Sequence, residues 1–205
     1  MTTSDTLDPF LAQMRADIYP EPPSEPHLTI THQMIAKFVE TGLIAPHHRV
    51  LDVGCGSGLA LEEFARHRIQ AIGVTLGPEA AACREKGFDC REMDVSFLEF
   101  PHQSFHAIWC RHTLEHSFSP LFTLYGFEKI LISGGLLYVE VPAPDTACHH
   151  EKNPNHYYVM GKSMWESLFE KTGFIVEWSG DFAFDTRMGP DLYWSFVLRK
   201  KSTSS

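Results

Sequence analysis

The chain has 205 residues, of which 43% are hydrophobic and 21% are charged, and its formal net charge is −9. This length and composition predict a globular protein with one main domain, and the acidic balance argues against a broad nucleic-acid surface. No apolar run approaches the roughly 20 residues needed to cross a bilayer, and the polar N-terminus lacks a secretory pattern. The five cysteines, an odd number, favour a reducing compartment, so a cytoplasmic protein with no membrane partner is expected.

Residues 1–28 are predicted to form an appendage to the main domain. Helical spacing of apolar residues predicts a short amphipathic helix at Leu7, Phe10, Leu11 and Met14. Four prolines within 20–26 predict an extended linker, because proline lacks an amide hydrogen and restricts the residue before it. A second helix is predicted over about 29–41, with Gly42 at its C-terminal cap.

A glycine-rich turn follows the first predicted strand. The apolar run that contains Asp52 is followed by Gly54, Gly56 and Gly58, and then by a helical pattern. Strand, glycine turn and helix form the first half of a nucleotide-binding crossover unit, in which a ligand approaches the backbone without meeting a Cβ. The spacing is not G-x-G-x-x-G, and no lysine follows the glycines, so neither a dinucleotide fingerprint nor a phosphate loop is present.

From residue 49 onward strands and helices alternate, which predicts a parallel sheet covered on both faces. The predicted strands lie near 49–53, 70–75, 88–92, 105–110 and 135–141. The predicted helices lie near 58–67, 78–86, 120–131 and 161–172. Two further strands, 174–178 and 192–198, have no helix between them and predict a closing hairpin with a loop at 181–190.

The stretch (V/L)-D-x-G-x-G-x-G resembles motif I of the class I S-adenosylmethionine-dependent methyltransferases, and the resemblance covers about residues 30–200. It implies an α/β fold, Rossmann-like and doubly wound. The sheet would have seven mostly parallel strands, an antiparallel last strand and helices on both faces. It also implies a methyltransferase domain over 29–200, followed by a disordered tail at 201–205. In that family the glycine loop wraps the methionine end of the cofactor, and the strand-end carboxylate lies close to it.

The same resemblance implies which residues bind the cofactor. Thr75 stands where the family often has a ribose-binding acid, and Glu79, one helical turn on, is a candidate substitute. Asp94 matches the acid that accepts a hydrogen bond from the adenine amino group, with the amide of Val95 at the ring. The implied cofactor-binding set is Asp52, Gly54, Cys55, Gly56, Gly58, Thr75, Leu76, Asp94, Val95, Cys110, Arg111 and His112.

The segment from His112 to His116 looks like the "LEH" stretch of small-molecule methyltransferases, in which the strand end faces the methyl group. It also fits the zinc pattern H-x-x-E-H. That pattern needs a long helix around it, whereas here it follows a strand and precedes Pro120. A zinc peptidase is therefore disfavoured, and no metal is predicted.

A second histidine cluster lies in the polar segment 143–160, after the fifth strand. Ligands of open parallel sheets bind beyond the carboxyl ends of the strands, so this segment is placed to cover a substrate. Three interpretations stay open: a lid that carries a general base, a polar surface without chemistry, and a metal site made with His112 or His116. The candidate bases are His116, His150 and His112. The candidate substrate contacts are His149, His156, Tyr157 and Tyr158.

The predicted function is the transfer of a methyl group from S-adenosylmethionine to the oxygen, nitrogen or carbon of a small molecule, with S-adenosylhomocysteine as the product. Substrate specificity is expected in the 143–160 and 181–190 segments and in the N-terminal helices. A monomer or a homodimer is expected. The alternatives are a non-catalytic S-adenosylmethionine-binding or scaffold protein with this fold, and a metal-dependent enzyme that uses the histidine cluster.

Overall fold

The computed structural model describes residues 3–16 and 24–202. The strands are β1 (Arg49–Val53), β2 (Gln70–Thr75), β3 (Cys90–Glu92), β4 (Phe105–Arg111), β5 (Leu131–Pro142), β6 (Phe174–Thr186) and β7 (Gly189–Lys200). The α-helices are α1 (Thr3–Ala16), α2 (His27–Glu40), α3 (Leu59–Arg66), α4 (Pro78–Glu85), α5 (Pro120–Ile130) and α6 (Lys162–Lys171). Single turns of 3-10 helix lie at Leu114–His116 and His150–Lys152.

The seven strands form one sheet in the order β3-β2-β1-β4-β5-β7-β6. The pairs β1–β2, β1–β4, β2–β3 and β4–β5 are parallel, whereas β7 is antiparallel to both β5 and β6. This confirms the predicted fold class, including the antiparallel last strand. The strand order changes direction between β1 and β4, and such a switch point leaves a crevice beyond the strand ends.

Two apolar layers cover the faces of the sheet. Because side chains alternate along a strand, Val50 and Trp109 face α2 and α3, whereas Leu51 and Ile108 face α5 and α6. Helix α2 contributes Met34, Ile35 and Phe38 to the first layer. The helix ends as predicted, since Gly42 adopts a φ of +74° and donates its N–H to Val39 O at 3.1 Å.

The closing hairpin differs from the prediction. Strand β6 extends to Thr186 and β7 begins at Gly189, so most of the expected 181–190 loop is strand. The prediction was wrong because Gly180 and Asp181 interrupt the apolar run. In the structure Gly180 leaves room for the ring of Trp178, 2.3 Å from where a Cβ would lie, and Phe184 stacks on Tyr193.

The predicted N-terminal helix is observed as α1, with Leu11 buried against the domain. Most of the expected proline-rich linker, and residues 203–205 of the expected tail, lie outside the described residues. Within the part of the chain that the structure describes, none of the helices has both the length and the apolar character that a bilayer span requires.

Replacing Ile35 by alanine tests how strongly α2 belongs to the core. Its side chain is 0% exposed, so Ile35→Ala should reduce the free energy of unfolding by about 2–5 kcal/mol in urea denaturation. Gln33→Ala on the exposed side of the same helix should change it by no more than about 0.5 kcal/mol. Equal effects at the two positions would contradict the packing of α2.

Candidate active site

A cleft of about 320 Å³ opens beyond the carboxyl ends of β1, β2 and β4. Its floor is the glycine loop between β1 and α3, and its sides come from the segments after β2, β3 and β4. Residues of α1, of α2 and of the 143–160 segment close the remaining sides. The cleft thus lies at the switch point of the sheet, where open α/β folds bind ligands.

The glycine loop has a backbone path that only glycine adopts without strain. Gly54, Gly56 and Gly58 have φ values of +73°, +51° and +94°. The amides of Gly54 and Cys55 both donate to Val74 O, at 2.8 and 3.0 Å. A Cβ at Gly54 would lie 2.1 Å from Thr113 Oγ1. The loop is therefore held between β2 and the segment after β4.

Asp52 lies on the same face of the sheet as its neighbour across the strands, Trp109, and reaches the floor of the cleft. It is 3% exposed, and among the described residues its Oδ2 has no hydrogen-bond partner. The pKa of Asp52 is raised to about 8, mainly by burial and to a smaller extent by Cys90, against an opposing effect of Arg111. A buried carboxyl oxygen without a donor is the feature that a cationic or hydrogen-donating ligand would satisfy.

The residues expected at the ribose and adenine end line the cleft together. Thr75, Leu76 and Glu79 follow β2, and Asp94 and Val95 follow β3. Burial raises the pKa of Glu79.

Asp94 is already bonded on both of its carboxyl oxygens. Asp94 Oδ1 accepts the N–H of Ser96 at 2.9 Å, and Oδ2 accepts Nε of Arg15 at 3.0 Å. Arg15 and Met14 belong to α1 and line the cleft. This contact places α1 over the adenine end of the cleft that the resemblance predicts.

Arg111 lines the cleft, and its guanidinium forms an ion pair with Glu140 on the neighbouring strand β5. Arg111 Nε and Nη2 donate to the two carboxyl oxygens at 3.0 and 2.5 Å. Tyr138 Oη and His112 Nε2 also donate to this carboxylate, at 2.8 and 2.9 Å. Although burial alone would raise the pKa of Glu140, Arg111 and His112 hold it below its usual range. Arg111 Nη1 also donates to the hydroxyl of Thr31, which ties α2 to the sheet.

Cys110 does not take the cofactor-facing position expected of it. It is 0% exposed and lies in the layer covered by α5 and α6. The physical reason is the pleat, which places Cys110 on the face opposite to its neighbours Trp109 and Arg111.

The three candidate bases have different positions. His116 lines the cleft, and its Nδ1 donates to Asn155 O at 2.8 Å. His112 also lines it but stacks on Tyr193 and is bonded to Glu140. His150 is buried outside the lining, where Nε2 donates to Asp191 Oδ1 at 2.9 Å. Only His116 therefore combines the expected role with access to the cleft away from the Arg111–Glu140 pair.

The four expected substrate contacts also differ in whether they line the cleft. Tyr157 lines the cleft, and Tyr158 Oη donates to Phe118 O at 3.1 Å. The ring centroid of His156 lies 4.7 Å from that of His116. The pKa of His156 is lowered to about 4, mainly by burial and in addition by the nearby His116 and His150. His149 points away, with its side chain 50% exposed beside Glu151.

The structure contradicts a peptidase-type zinc helix at H-x-x-E-H. Leu114–His116 is a single 3-10 turn after β4, and His112 has a φ of +48°. His112 and His116 therefore do not share the face of one α-helix, and they bond to different partners.

Several residues of the site were not identified from the sequence: Arg15, Thr31, Trp109, Thr113, Glu140 and Asn155. Glu140 carries the clearest sequence signal, because a carboxylate between two valines of a buried strand needs a buried partner. Arg15 carries no such signal, because nothing in its local pattern indicates that α1 folds back over the cleft.

Comparison with known proteins agrees with this arrangement. A family model described as "Methyltransferase domain" matches residues 51–139. A ubiquinone biosynthesis O-methyltransferase of Xanthomonas campestris is 33% identical over 110 residues, which are 50% of this chain and 46% of that protein. The chain thus matches about half the length of this relative.

Among solved structures, the YcgJ protein of Bacillus subtilis superposes with a TM-score of 0.68 at 17% identity, covering 84% of this chain and all of that one (100%). The cyclase SpnF superposes with a TM-score of 0.73 at 18% identity, covering 98% of this chain and 95% of that one. At these identities the structural likeness concerns the fold.

The Arg111–Glu140 pair can be tested against a matched surface pair. Glu140→Gln leaves a buried guanidinium without its counter-charge and should reduce the free energy of unfolding by about 3–5 kcal/mol in urea denaturation. Glu177 forms an equally bidentate pair with Arg199, at 3.1 and 2.9 Å, and both side chains are partly exposed. Glu177→Gln should reduce the free energy of unfolding by less than about 1 kcal/mol. A loss at Glu140 as small as that at Glu177 would contradict the structural role of the buried pair.

Proposed function

We propose, from the premise that the chain belongs to the class I S-adenosylmethionine-dependent methyltransferase family, that it transfers a methyl group from S-adenosylmethionine to a small molecule. The proposal depends chiefly on one observation. A glycine loop with left-handed backbone, the buried carboxyl group of Asp52 with its unpartnered oxygen, and Asp94 after β3 lie in a single cleft. The family resemblance assigns the glycine loop and Asp52 to the methionine end of the cofactor and Asp94 to its adenine.

The residues present fit this cofactor in their chemistry. Asp52 offers a carboxyl oxygen to the positively charged methionine end, and the glycine loop offers backbone without side chains. Thr75 and Glu79 offer oxygens to the ribose, and Asp94 offers a carboxylate to the adenine amino group. The bound cofactor supplies a methyl group on a sulfonium, which is electrophilic without further activation.

The acceptor would enter from the side of the cleft formed by the end of β4 and the 143–160 segment. His116 and Tyr157 line this side, together with Phe118. Phe118 also packs on Phe10 of α1, with ring centroids 6.1 Å apart, so an apolar wall continues onto the covering helix. Aromatic walls beside a few polar groups favour a flat, partly apolar acceptor.

An oxygen nucleophile is the acceptor group we propose. The Xanthomonas relative is by name an O-methyltransferase, and the acceptor side of the cleft offers His116 as a polar group near the reacting atoms. The methyl group would move from sulfur to the hydroxyl oxygen, and the hydroxyl proton would leave on the side of His116. The protein's tasks are to align that oxygen with the methyl group and to exclude water.

Replacing Asp52 by asparagine tests the cofactor site. Asp52→Asn should weaken S-adenosylmethionine binding at least about tenfold, roughly 1.4 kcal/mol, in calorimetric titration at pH 8. Asp89→Asn is the matched control, because that carboxylate is 55% exposed beside Arg91 and does not line the cleft. Wild-type protein that is folded and binds neither S-adenosylmethionine nor S-adenosylhomocysteine would refute the proposed function.

The raised pKa of Asp52 also predicts a proton release. In the ligand-free fold the group is mostly protonated at pH 7, since its pKa is about 8, and a cationic ligand favours the ionised form. Cofactor affinity should therefore rise with pH by up to about tenfold per unit below pH 8 and level off above it. Titrations in buffers of different ionisation enthalpy should show about one proton more released by the wild type than by Asp52→Asn. Equal release would contradict this role.

The same pKa has the opposite effect on ligand-free stability. The folded state holds the Asp52 proton more tightly than the unfolded chain does. The contribution of Asp52 to the free energy of unfolding therefore falls as the pH rises between 3.8 and about 8.

Turnover separates catalysis from cofactor binding alone. Incubation with labelled S-adenosylmethionine and a panel of aromatic hydroxyl compounds should give methyl ethers and S-adenosylhomocysteine in equal amounts. Asp52→Asn should reduce kcat/KM at least about tenfold, and Asp89→Asn should leave it unchanged. Cofactor binding without turnover of any acceptor would instead support the scaffold alternative.

A further inference from the structure

We propose that Glu115, His116 and His156 bind one divalent transition-metal ion, with Zn²⁺ as the best match, at the acceptor end of the cleft. One carboxyl oxygen of Glu115, one ring nitrogen of His116 and one ring nitrogen of His156 all lie within 4.8 Å of one another. Metal–ligand bonds of about 2.1 Å place ligand atoms about 3.4 Å apart, a contraction that side-chain torsions can supply. Two histidines and one glutamate are a ligand set of catalytic zinc sites, which keep a further position open.

The backbone fixes the three residues relative to one another. Glu115 and His116 lie in the 3-10 turn after β4, and His156 lies in the segment after β5. The amides of Tyr157 and Tyr158 both donate to the carbonyl oxygen of Glu115, at 2.8 and 3.1 Å. The two segments are thereby joined at the level of the proposed ligands, so the site is preorganised before an ion binds.

His116 has the second hydrogen bond that metal-binding histidines usually make. Its Nδ1 donates to the carbonyl oxygen of Asn155 at 2.8 Å. In the neutral ring this places the hydrogen on Nδ1 and the lone pair on Nε2. Donation of the other ring N–H to a backbone carbonyl orients the imidazole and raises its basicity as a ligand.

His156 supplies an independent observation. Its Nδ1 is buried and has no hydrogen-bond partner among the described residues. A buried polar atom without a partner is destabilising, and a ligand would remove that penalty. The carboxylate of Glu115, which is 1% exposed, would in turn give a divalent cation a negative charge shielded from water.

The other groupings of metal-binding residue types lie in hydrogen-bond networks or apolar packing of their own. Both oxygens of Glu140 accept bonds from neighbouring groups, and the guanidinium of Arg111 beside it would repel a cation. His150 already donates to Asp191. Three thiols pack in a small apolar cluster with Leu61: Cys55, Cys83 and Cys90.

The ion would act on the acceptor, and this role rests on the proposed function. His116 lines the cleft, so the open position of the metal would face an acceptor oxygen. A bound hydroxyl loses its proton more readily because the metal lowers its pKa. The proton would go to solvent, the oxygen would form the new bond to the methyl carbon, and sulfur would keep the electron pair of the broken bond. His116 would then be a ligand and not the base.

Metal binding is tested directly on the full chain without an affinity tag. The protein is stripped with a chelator, dialysed and titrated with Zn²⁺, and then with Co²⁺ as a spectroscopic probe. We expect one equivalent of Zn²⁺ and, with Co²⁺, visible bands of a low-coordinate nitrogen and oxygen site. Wild-type protein that retains no stoichiometric Zn²⁺ overturns the proposal, whatever the variants do.

Variants locate the ion. His156→Ala should weaken Zn²⁺ binding at least tenfold, whereas His149→Ala, which removes an exposed histidine of the same segment, should leave it unchanged. His47→Ala controls for the histidine group at His47, His48 and His106, where ring centroids lie 4.6 to 6.5 Å apart. Binding lost in His47→Ala and kept in His156→Ala would overturn the assignment.

The folding of His156→Ala is checked by circular dichroism and by S-adenosylmethionine binding, which should be retained. If this variant does not fold, Glu115→Gln serves in its place, with the same expected loss of Zn²⁺. Because Zn²⁺ is titrated without S-adenosylmethionine, failure of the metal site and failure of the proposed methyl transfer give different results.

Discussion

The buried pair of Arg111 and Glu140 is the constraint on which the site depends. Taking two charges out of water is costly, and the cost is offset only when every donor and acceptor is satisfied. Here the carboxylate accepts from Arg111, Tyr138 and His112. The guanidinium in turn reaches the hydroxyl of Thr31 on α2. The pair therefore fixes the ends of β4 and β5, the ring of His112 and the start of α2 in one arrangement.

This arrangement follows from the pleat of the sheet. Along the face that α2 and α3 cover, the apolar residues Trp109 and Tyr138 are followed two positions later by Arg111 and Glu140. Asp52 is paired with Trp109 across β1 and β4, so its carboxyl group lies on the same face, level with the last apolar residues. The face changes from apolar core to charged cleft within one step of the strand period, and the proposed cofactor site begins where helix packing ends.

The sequence predicted the strands, helices and glycine loop closely because each has a local cause. The spacing of apolar residues indicates the element, and glycine or proline marks where it ends. It predicted less well where the cause lies in another strand. Cys110 follows Trp109 directly, but only the register of β4 against β1 and β5 decides which of them faces the cleft. The length of β6 was missed for a similar reason, since Phe182 and Phe184 are extended by pairing with β7 and not by their own pattern. Arg15 covers the cleft through its bond to Asp94, which lies 79 positions away in the chain, so no local pattern could predict it.

The electrostatics of the cleft suit the proposed transfer of a positively charged methyl donor. Burial keeps Asp52 largely protonated in the ligand-free fold and keeps His27 neutral, lowering the pKa of His27 to about 3. The methyl transfer proposed here turns a sulfonium into a neutral thioether, so charge is lost as the reaction proceeds. The cleft can bind this cation through the buried carboxyl group of Asp52, whose ionised form the positive charge of the ligand would favour. The carboxyl group that is costly to ionise without a ligand is thus the one that would recognise the donor.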